Sequence, residues 1–592
     1  MLLVPLPFLS QGTYIDENAL QPGAVNTYWS WGDVHRADRY LEGLEALRDN
    51  NASSNERADF ISKEFKRLGL DASTQRYHYA AATGAIDGVN AYAVLSSPRS
   101  SGSEAMVISA SWLSRTGEGD GTLNLRGVST VLSLAAFLKK YSLWAKDIVF
   151  VIGDGYLDGM HAWLSAYHGA PSSVLEADSL ELPSGVIWTA LNIDYPGHSF
   201  SHLGIFFEGV NGRLPNQDLL NSFQHISRYT GGVPVLVYDH LDPRDYPGRE
   251  VEMSNIPSWL PDFVKNMEDV QEYSYAAKNV LRHVGYQARG MPSGVHGLFH
   301  QFRIDAITIF AVPAPGPHGF HAIGRVVEST LRTMNNLLER LHASFFFYLL
   351  KGPTTFMKIG TYLPSAVLIS VALLFGGLGE WVNAGWVARP AFPSDEKSKD
   401  ILAGPTQLPL KSRWTRRSRP VLPVLSIICF THATGLLLFF LLTKSWVLDH
   451  LPVMSPILFL LVSLLAPAAF FSLPSQTLPP SQPFSTILKS FTLCLASTVI
   501  SIISVLNFSL AATLAVLLGV PLSMVAPSPR VFGRIGNYIG YITLGFGWLF
   551  FIPQVQKAVW AWEVLGIWFA PFVCLVYAPL VMQAAIVCLF TS

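Results

Sequence analysis

The clearest alternation of apolar and polar positions lies at residues 106–158. An apolar run, Met106 to Ala110, leads into a polar, Gly-rich loop. A helical stretch follows, Val128 to Lys139, with Val131, Leu132, Ala135 and Leu138 on one face. A second apolar run, Ile148 to Ile152, closes the unit. Strand–loop–helix–strand is the grammar of a parallel α/β sheet, and chemistry in such sheets sits in loops at the carboxyl ends of the strands. Further short β-branched or apolar runs predict buried strands at Ala91–Leu95, Val186–Ile193 and Ala306–Val312. Helical spacing recurs at Ala58–Leu70 (Phe60, Ile61, Phe65, Leu68), Asn216–Tyr229, Asp269–Val284 and Glu328–Leu341. These elements predict one α/β domain over residues 12–345, a mostly parallel mixed sheet flanked by helices.

From residue 361 the pattern changes. Seven apolar stretches read as membrane spans: 361–383, 421–443, 453–473, 486–506, 508–527, 537–555 and 563–590. The aromatic cluster Phe345-Phe346-Phe347-Tyr348 precedes them, and 346–360 is expected to lie in the headgroup layer, where half-wet rings are favoured. MLLVPLPFL at the start is too short to span a bilayer, and 1–11 reads as the remnant of an N-terminal membrane helix or a leader.

Composition supports a chain partly in lipid. Half the residues are hydrophobic and 14% are charged, against about 25% in soluble domains. The net charge of −1 argues against a nucleic-acid partner. The loop 384–420 carries Lys411, Arg413, Arg416, Arg417 and Arg419, so the positive-inside rule places it in the cytosol. Alternation then puts the α/β domain on the lumenal side, where the sequon Asn51-Ala52-Ser53 is a candidate glycosylation site. All four cysteines, Cys429, Cys494, Cys574 and Cys588, lie in the apolar C-terminal part. No C-x-x-C spacing suggests zinc, no G-x-S-x-G elbow suggests a serine hydrolase, and no P-loop opens a helix.

The segment 106–158 resembles the zinc exopeptidases of the aminopeptidase type, over roughly residues 55–330. Those enzymes hold two zinc ions with an H-x-D, the Asp of a G-A-N-D, a Glu-Glu pair, a later Asp and a final His. Here the corresponding places read Ser109-Ala110-Ser111, Gly121-Thr122-Leu123-Asn124 and Tyr156-Leu157. Asp194, in LNIDYPG, matches the later Asp, and His318 or His321 matches the final His. Asp154 and Asp158 are possible substitute ligands, or helix caps. The spacing of His296 and His300 suits one helical face, but Gly294 and Gly297 favour a loop with structural histidines. A degenerate site without a metal or other cofactor is expected.

Four longer stretches are more specific: GTYIDENALQPG at 12–23, DGYLDGMHAWLSAYHG at 154–169, GVHGLFHQFRIDAITIF at 294–310 and NNLLERLHASFFFYLL at 335–350. Through them the chain resembles the GPI-anchor attachment subunits of the GPI transamidase complex. The resemblance implies the endoplasmic reticulum membrane, a large lumenal domain and a multi-span domain. It implies partners: a caspase-like cysteine protease subunit carrying the catalytic cysteine, further membrane subunits, the GPI glycolipid and precursors bearing a GPI signal. It implies a non-catalytic subunit that scaffolds the complex and presents the lipid. In that family the last span is linked to holding GPI, which points to Pro579, with Glu563 and Trp562 at the span's mouth. The alternatives are a metal-dependent amide-forming or peptidase enzyme built on the substitute ligands, and a transporter, for which paired polar residues at mid-span are scarce.

Overall fold

The computed structural model describes residues 3–17, 27–99, 102–115, 122–170, 172–242, 244, 259–341, 347–389, 413–472 and 484–590. Two compact units divide the chain. One comprises Met1–Pro364 with Leu506–Leu510 and Ala558–Phe569; the other comprises Ser365–Val505, Ala511–Lys557 and Ala570–Ser592.

The first unit is α/β. After β1 (Gln11–Gly12) and the helices α1 (Trp31–Asp49) and α2 (Ser54–Arg67), nine strands form one sheet. They are β2 (Asp71–Ala81), β3 (Gly84–Leu95), β4 (Glu104–Ser111), β5 (Asp147–Gly153), β6 (Leu175–Ala177), β7 (Val186–Asp194), β8 (Phe200–Phe206), β9 (Val235–Val237) and β10 (Asp305–Pro313). Their order is β6-β2-β3-β5-β4-β7-β10-β8-β9. The four central strands, β5, β4, β7 and β10, are mutually parallel, and antiparallel neighbours flank them on both sides. The sheet is thus the mixed one the pattern predicted, with its parallel part in the middle. Parallel strands need long crossovers, here α3 (Leu125–Leu138) between β4 and β5, and α4 (Asp158–His168) after β5.

Strand alternation sorts the core into two faces. Met106, Ile108 and Ala110 of β4, with Ile148, Phe150 and Ile152 of β5, pack with α1, α2, α3 and α8 (Phe320–Asn335). Val107, Val149 and Val151 face the other way, onto Met160, Trp163 and Leu164 of α4. Both faces being covered explains why these strands read as continuous apolar runs. Between β8 and β10 lie α5 (Gln217–His225), the short α6 (Asp262–Lys265) and the long α7 (Glu268–Arg289).

The segment 348–358 differs from the interfacial reading. It folds as a hairpin, β11 (Tyr348–Gly352) with β12 (Thr355–Lys358), and β1 adds a third strand. Tyr348, Leu349 and Leu350 are buried, and the Tyr348 hydroxyl donates to the Pro215 carbonyl at 3.0 Å. The reason is that pairing with β12 satisfies the backbone of an apolar stretch that period alone cannot tell from a helix. Phe345 and Phe346 lie outside the described residues.

The second unit is helical. Among the described residues four helices are long and apolar enough to cross a membrane: Ile359–Ala384, Val421–Leu442, Phe484–Leu506 and Phe569–Leu589. A bent pair, Val531–Phe550 with Ile552–Leu565, turns by 74°. Leu451–Leu465 and Phe508–Met524 are shorter apolar helices. The stretch 563–590 is not one span: its helix ends at Leu565, Gly566 takes φ +67°, and a new helix starts at Phe569. Of the basic loop 384–420, residues 390–412, Lys411 among them, lie outside the described set, and Trp386–Arg389 pairs with Arg413–Arg416 as a two-stranded ribbon.

Candidate functional site

The carboxyl ends of β4, β5 and β7 deliver Ser109, Ser111, Asp154 and Asp194 to one edge of the sheet. Each meets protein partners there. The Ser109 hydroxyl donates to Asn192 Oδ1 at 3.1 Å, and Asn192 donates on to Thr308 Oγ1 at 3.2 Å. Ser111 Oγ donates to the Tyr156 carbonyl at 2.9 Å. Asn124 braces three segments: its Nδ2 donates to the carbonyls of Ser111 and Ile193, and its Oδ1 accepts from the Tyr195 amide at 2.7 Å. Its neighbour in the degenerate motif, Gly121, lies outside the described residues.

Asp194 ends β7 and is buried. One oxygen accepts from Ser114 Oγ at 2.6 Å and the other from the Arg115 amide at 2.9 Å. Burial lifts its carboxyl to about 6, against the pull of those hydrogen bonds and of the Arg115 charge. Arg115 is the residue that the motif reading passed over. Its guanidinium lies 3.5 Å over the Phe206 ring, donates to the Ser293 carbonyl, Asp239 and the Tyr286 hydroxyl, and sits beside Tyr156. Burial raises the Tyr156 phenol, so it stays neutral. Asp239 is shared with Arg282, and although burial opposes its charge, the two guanidinium groups hold its carboxyl down at about 2. Next to this network lies Glu208, fully buried, accepting from the Tyr238 hydroxyl and facing His283 Nδ1 at 2.9 Å. Burial works to raise Glu208, but the His283 hydrogen bond and charge hold it below the usual range. The signal in the sequence was weak: an Arg five residues after an apolar run, with its partners 79 to 178 positions away.

The substitute ligands are engaged elsewhere. Asp154 forms an ion pair with Arg57 at 2.8 Å and accepts from the Val89 amide. Asp158 opens α4, accepting from the Tyr77 hydroxyl at 2.8 Å and the Tyr156 amide at 3.1 Å, and burial raises its carboxyl. His318 bridges backbone to Phe200, and His321 stacks on Trp31 with ring centroids 4.8 Å apart. Among the described residues no three His, Cys, Asp or Glu side chains converge to hold a metal ion. His296 and His300 lie on a short 3-10 helix, Val295–Phe302, rather than an open loop. His296 Nδ1 meets Thr308 Oγ1 at 2.8 Å and His300 Nε2 meets the Ala306 carbonyl at 3.0 Å, so both brace β10.

The residues expected at the last span fall in two places. Residues 558–569 belong to the α/β unit: Ala561, Val564, Leu565 and Ile567 join its core, and the Ala82 amide donates to Glu563 at 2.8 Å. Trp562 lies edge-on to Trp568, with centroids 5.0 Å apart. Pro579 is buried in the helical unit, inside Ala578–Leu589. It lacks the N–H that would reach the Leu575 carbonyl one turn back, and His432 Nδ1 meets that carbonyl at 2.8 Å instead. Gly435, one turn after His432, makes the approach possible, since a Cβ there would lie 2.1 Å from the Cys574 carbonyl. Asn51, the candidate glycosylation position, is exposed with φ +49°, and Ser53 of its sequon caps α2 in a capping box with Glu56.

The family described as "Gaa1-like, GPI transamidase component" matches residues 87–585. The chain is 26% identical to the GPI transamidase component gaa1 of Schizosaccharomyces pombe, over 97% of this chain and 89% of that protein. It is 29% identical to the GPI transamidase component GAA1 of Saccharomyces cerevisiae, over 64% of this chain and 55% of that protein. Similar solved structures include the Fimbriiglobus ruber glutaminyl cyclase (14% identity, 53% of this chain, 98% of that one, TM-score 0.32). The Legionella pneumophila LapA aminopeptidase is another (13% identity, 55% and 80%, TM-score 0.31).

Proposed function

This chain belongs to the Gaa1-like family of GPI transamidase components, and from that premise we propose that its α/β unit is a non-catalytic platform within the complex. The observation that carries the proposal is Asp194. It stands where a metal-binding carboxylate is expected, yet both of its oxygens accept hydrogen bonds from Ser114 and Arg115, and a buried guanidinium lies beside it. A carboxylate so engaged holds a loop in place, and the fixed cation next to it disfavours a second, divalent one.

On this reading the cysteine nucleophile belongs to a caspase-like partner subunit, and the product is a precursor protein joined to the GPI glycolipid. The proposed site of action is the endoplasmic reticulum membrane, with the α/β unit in the lumen. Two observations support that side. The returns 506–510 and 558–569 belong to the α/β unit, and alternation over the seven expected spans would put both on the side opposite the basic 384–420 loop. Asn51 is exposed, as glycosylation requires. Helical residues 569–589 are proposed to shape the lipid's path, with Pro579 acting through the π-helical turn before it, Val573–Tyr577, rather than a free carbonyl, and Trp562 and Glu563 lying toward the lumenal end.

The test uses the assembled complex. Asp194→Ala should leave amide formation per assembled complex within about twofold of wild type, a difference of roughly 0.4 kcal/mol. Loss of amide formation at normal assembly, with two zinc ions per complex by elemental analysis, overturns the platform in favour of a metal-dependent enzyme.

A further inference from the structure

A cavity of about 480 Å³ opens in the α/β unit, away from the Asp194 network, between β9, α7 and the β11–β12 hairpin. Its volume lies in the small-molecule range of roughly 300–1,000 Å³. Lys351 lines it and is 3% exposed. The ammonium donates to the Leu6 carbonyl and to Ser10 Oγ, both at 2.5 Å. Both acceptors are neutral, and among the described residues Lys351 forms no ion pair. Burial draws its ammonium down to about 8, with Glu272 pulling weakly the other way. This is the response of a buried cation short of counter-charge. A buried charge without a partner is costly, so an anion in the cavity would be stabilised there.

The remaining walls narrow the ligand class. Arg228 adds a second cation, and Arg244 a third that is neutralised by Asp242 at 2.8 Å and Glu272 at 2.8 Å. Those carboxylates and the buried Gln224 amide offer acceptors and donors beyond the cationic end. Inorganic anions have no use for carboxylate acceptors; hydroxyl groups do. We propose that this cavity binds a polyhydroxylated anion, a sugar phosphate or the phosphorylated sugar of a larger glycan, with its phosphate on Lys351 and its hydroxyls toward Asp242, Glu272 and Gln224.

The full chain in detergent is titrated by calorimetry with glucose 6-phosphate, with glucose and with inorganic phosphate, at matched ionic strength. Saturable binding of glucose 6-phosphate, at least tenfold tighter than of either fragment, is expected. Lys351→Met, close in volume and uncharged, should weaken it at least tenfold. Arg228→Gln, at an exposed position, serves as a second variant if Lys351→Met does not fold, and should weaken it severalfold. Equal binding of inorganic phosphate, no saturable binding of glucose 6-phosphate, or wild-type affinity in both variants overturns the proposal. None of these outcomes touches the Asp194 reading, whose residues do not line the cavity.

Discussion

Beside many neutral groups, the α/β unit buries charged side chains, and several of these meet opposite charges. Arg115 meets Asp239, Lys146 meets Glu104, and Glu328 meets Arg332. In the helical unit the buried polar groups are mostly neutral and meet carbonyls or one another. Ser490 donates to the Gly377 carbonyl, Ser497 to that of Ser370, and Gln583 joins Thr492 to Thr431. The ion pair Lys489–Glu380 stays partly exposed near its helix ends. The difference follows from what surrounds each unit. Water lowers the cost of assembling charges before they are buried, whereas within a bilayer an unpaired charge has no cheap state. Each helix there also satisfies its own backbone, so the few carbonyls freed by proline become the sites where side chains must help.

The comparison predicts costs of different size. The largest should follow Glu328→Ala. Glu328 is fully buried, accepts from the Tyr28 and Trp29 amides and forms an ion pair with Arg332 at 2.8 Å. Removing it strands a nearly buried guanidinium, a loss of about 3–5 kcal/mol measurable by chemical unfolding of the detergent-purified chain. A loss under about 1 kcal/mol would show that these groups are solvated after all.

Next comes Gly435→Val, which drives a side chain into the Cys574 carbonyl and Pro579. The loss should be about 1–3 kcal/mol or more, read as a drop in thermal midpoint. Gly536→Ala is the control, since nothing lies within 4 Å of its Cβ position. His432→Leu should then cost about 1–3 kcal/mol by leaving the Leu575 carbonyl unpaired. In a Pro579→Ala background the helix regains its own N–H, so the His432→Leu cost should shrink. Equal costs in both backgrounds would break the link between the proline and the histidine.

The smallest effect is pH-dependent. Burial raises the folded Asp194 carboxyl to about 6, above its ordinary value of 3.8. Folding therefore favours the protonated form: this group's contribution is fully present below about 4 and is lost as pH rises through 6. Asp194→Asn does not titrate, so wild type should gain thermal midpoint relative to the variant as pH falls from 7.5 to 5. A difference that is flat in pH, or that moves the other way, would show Asp194 ionised throughout.

Much of the architecture was legible in one dimension. The β4–α3–β5 unit, β7, β10 and α7 announce themselves because both faces of the parallel strands are covered and their apolar runs are unbroken. The β2–β3 hairpin was harder, since it mixes Tyr, Gln, Asn and Asp, and only Ala91–Leu95 stood out. The helix α1 was missed because its apolar face, Val34, Ala37, Leu41 and Leu44, is interrupted by charged neighbours. At the site, the sequence identified Ser109, Ser111, Asn124, Tyr156 and Asp194 by position, because motif places are a local property. It did not identify Arg115, whose meaning comes from Asp239, Tyr286 and Phe206 far along the chain.

What the sequence determined by itself was therefore the central parallel strands with several of their helices, the onset of the apolar helices and the family, all written in local spacing and composition. Tertiary structure alone decided that 558–569 returns to the α/β core, that 348–358 is a buried hairpin, and that Lys351 lines a cavity while bonded to neutral acceptors. Those outcomes depend on which backbone groups and charges find partners hundreds of residues away. Pairing at that range is settled by the free energy of burial over the whole fold, which no local window contains.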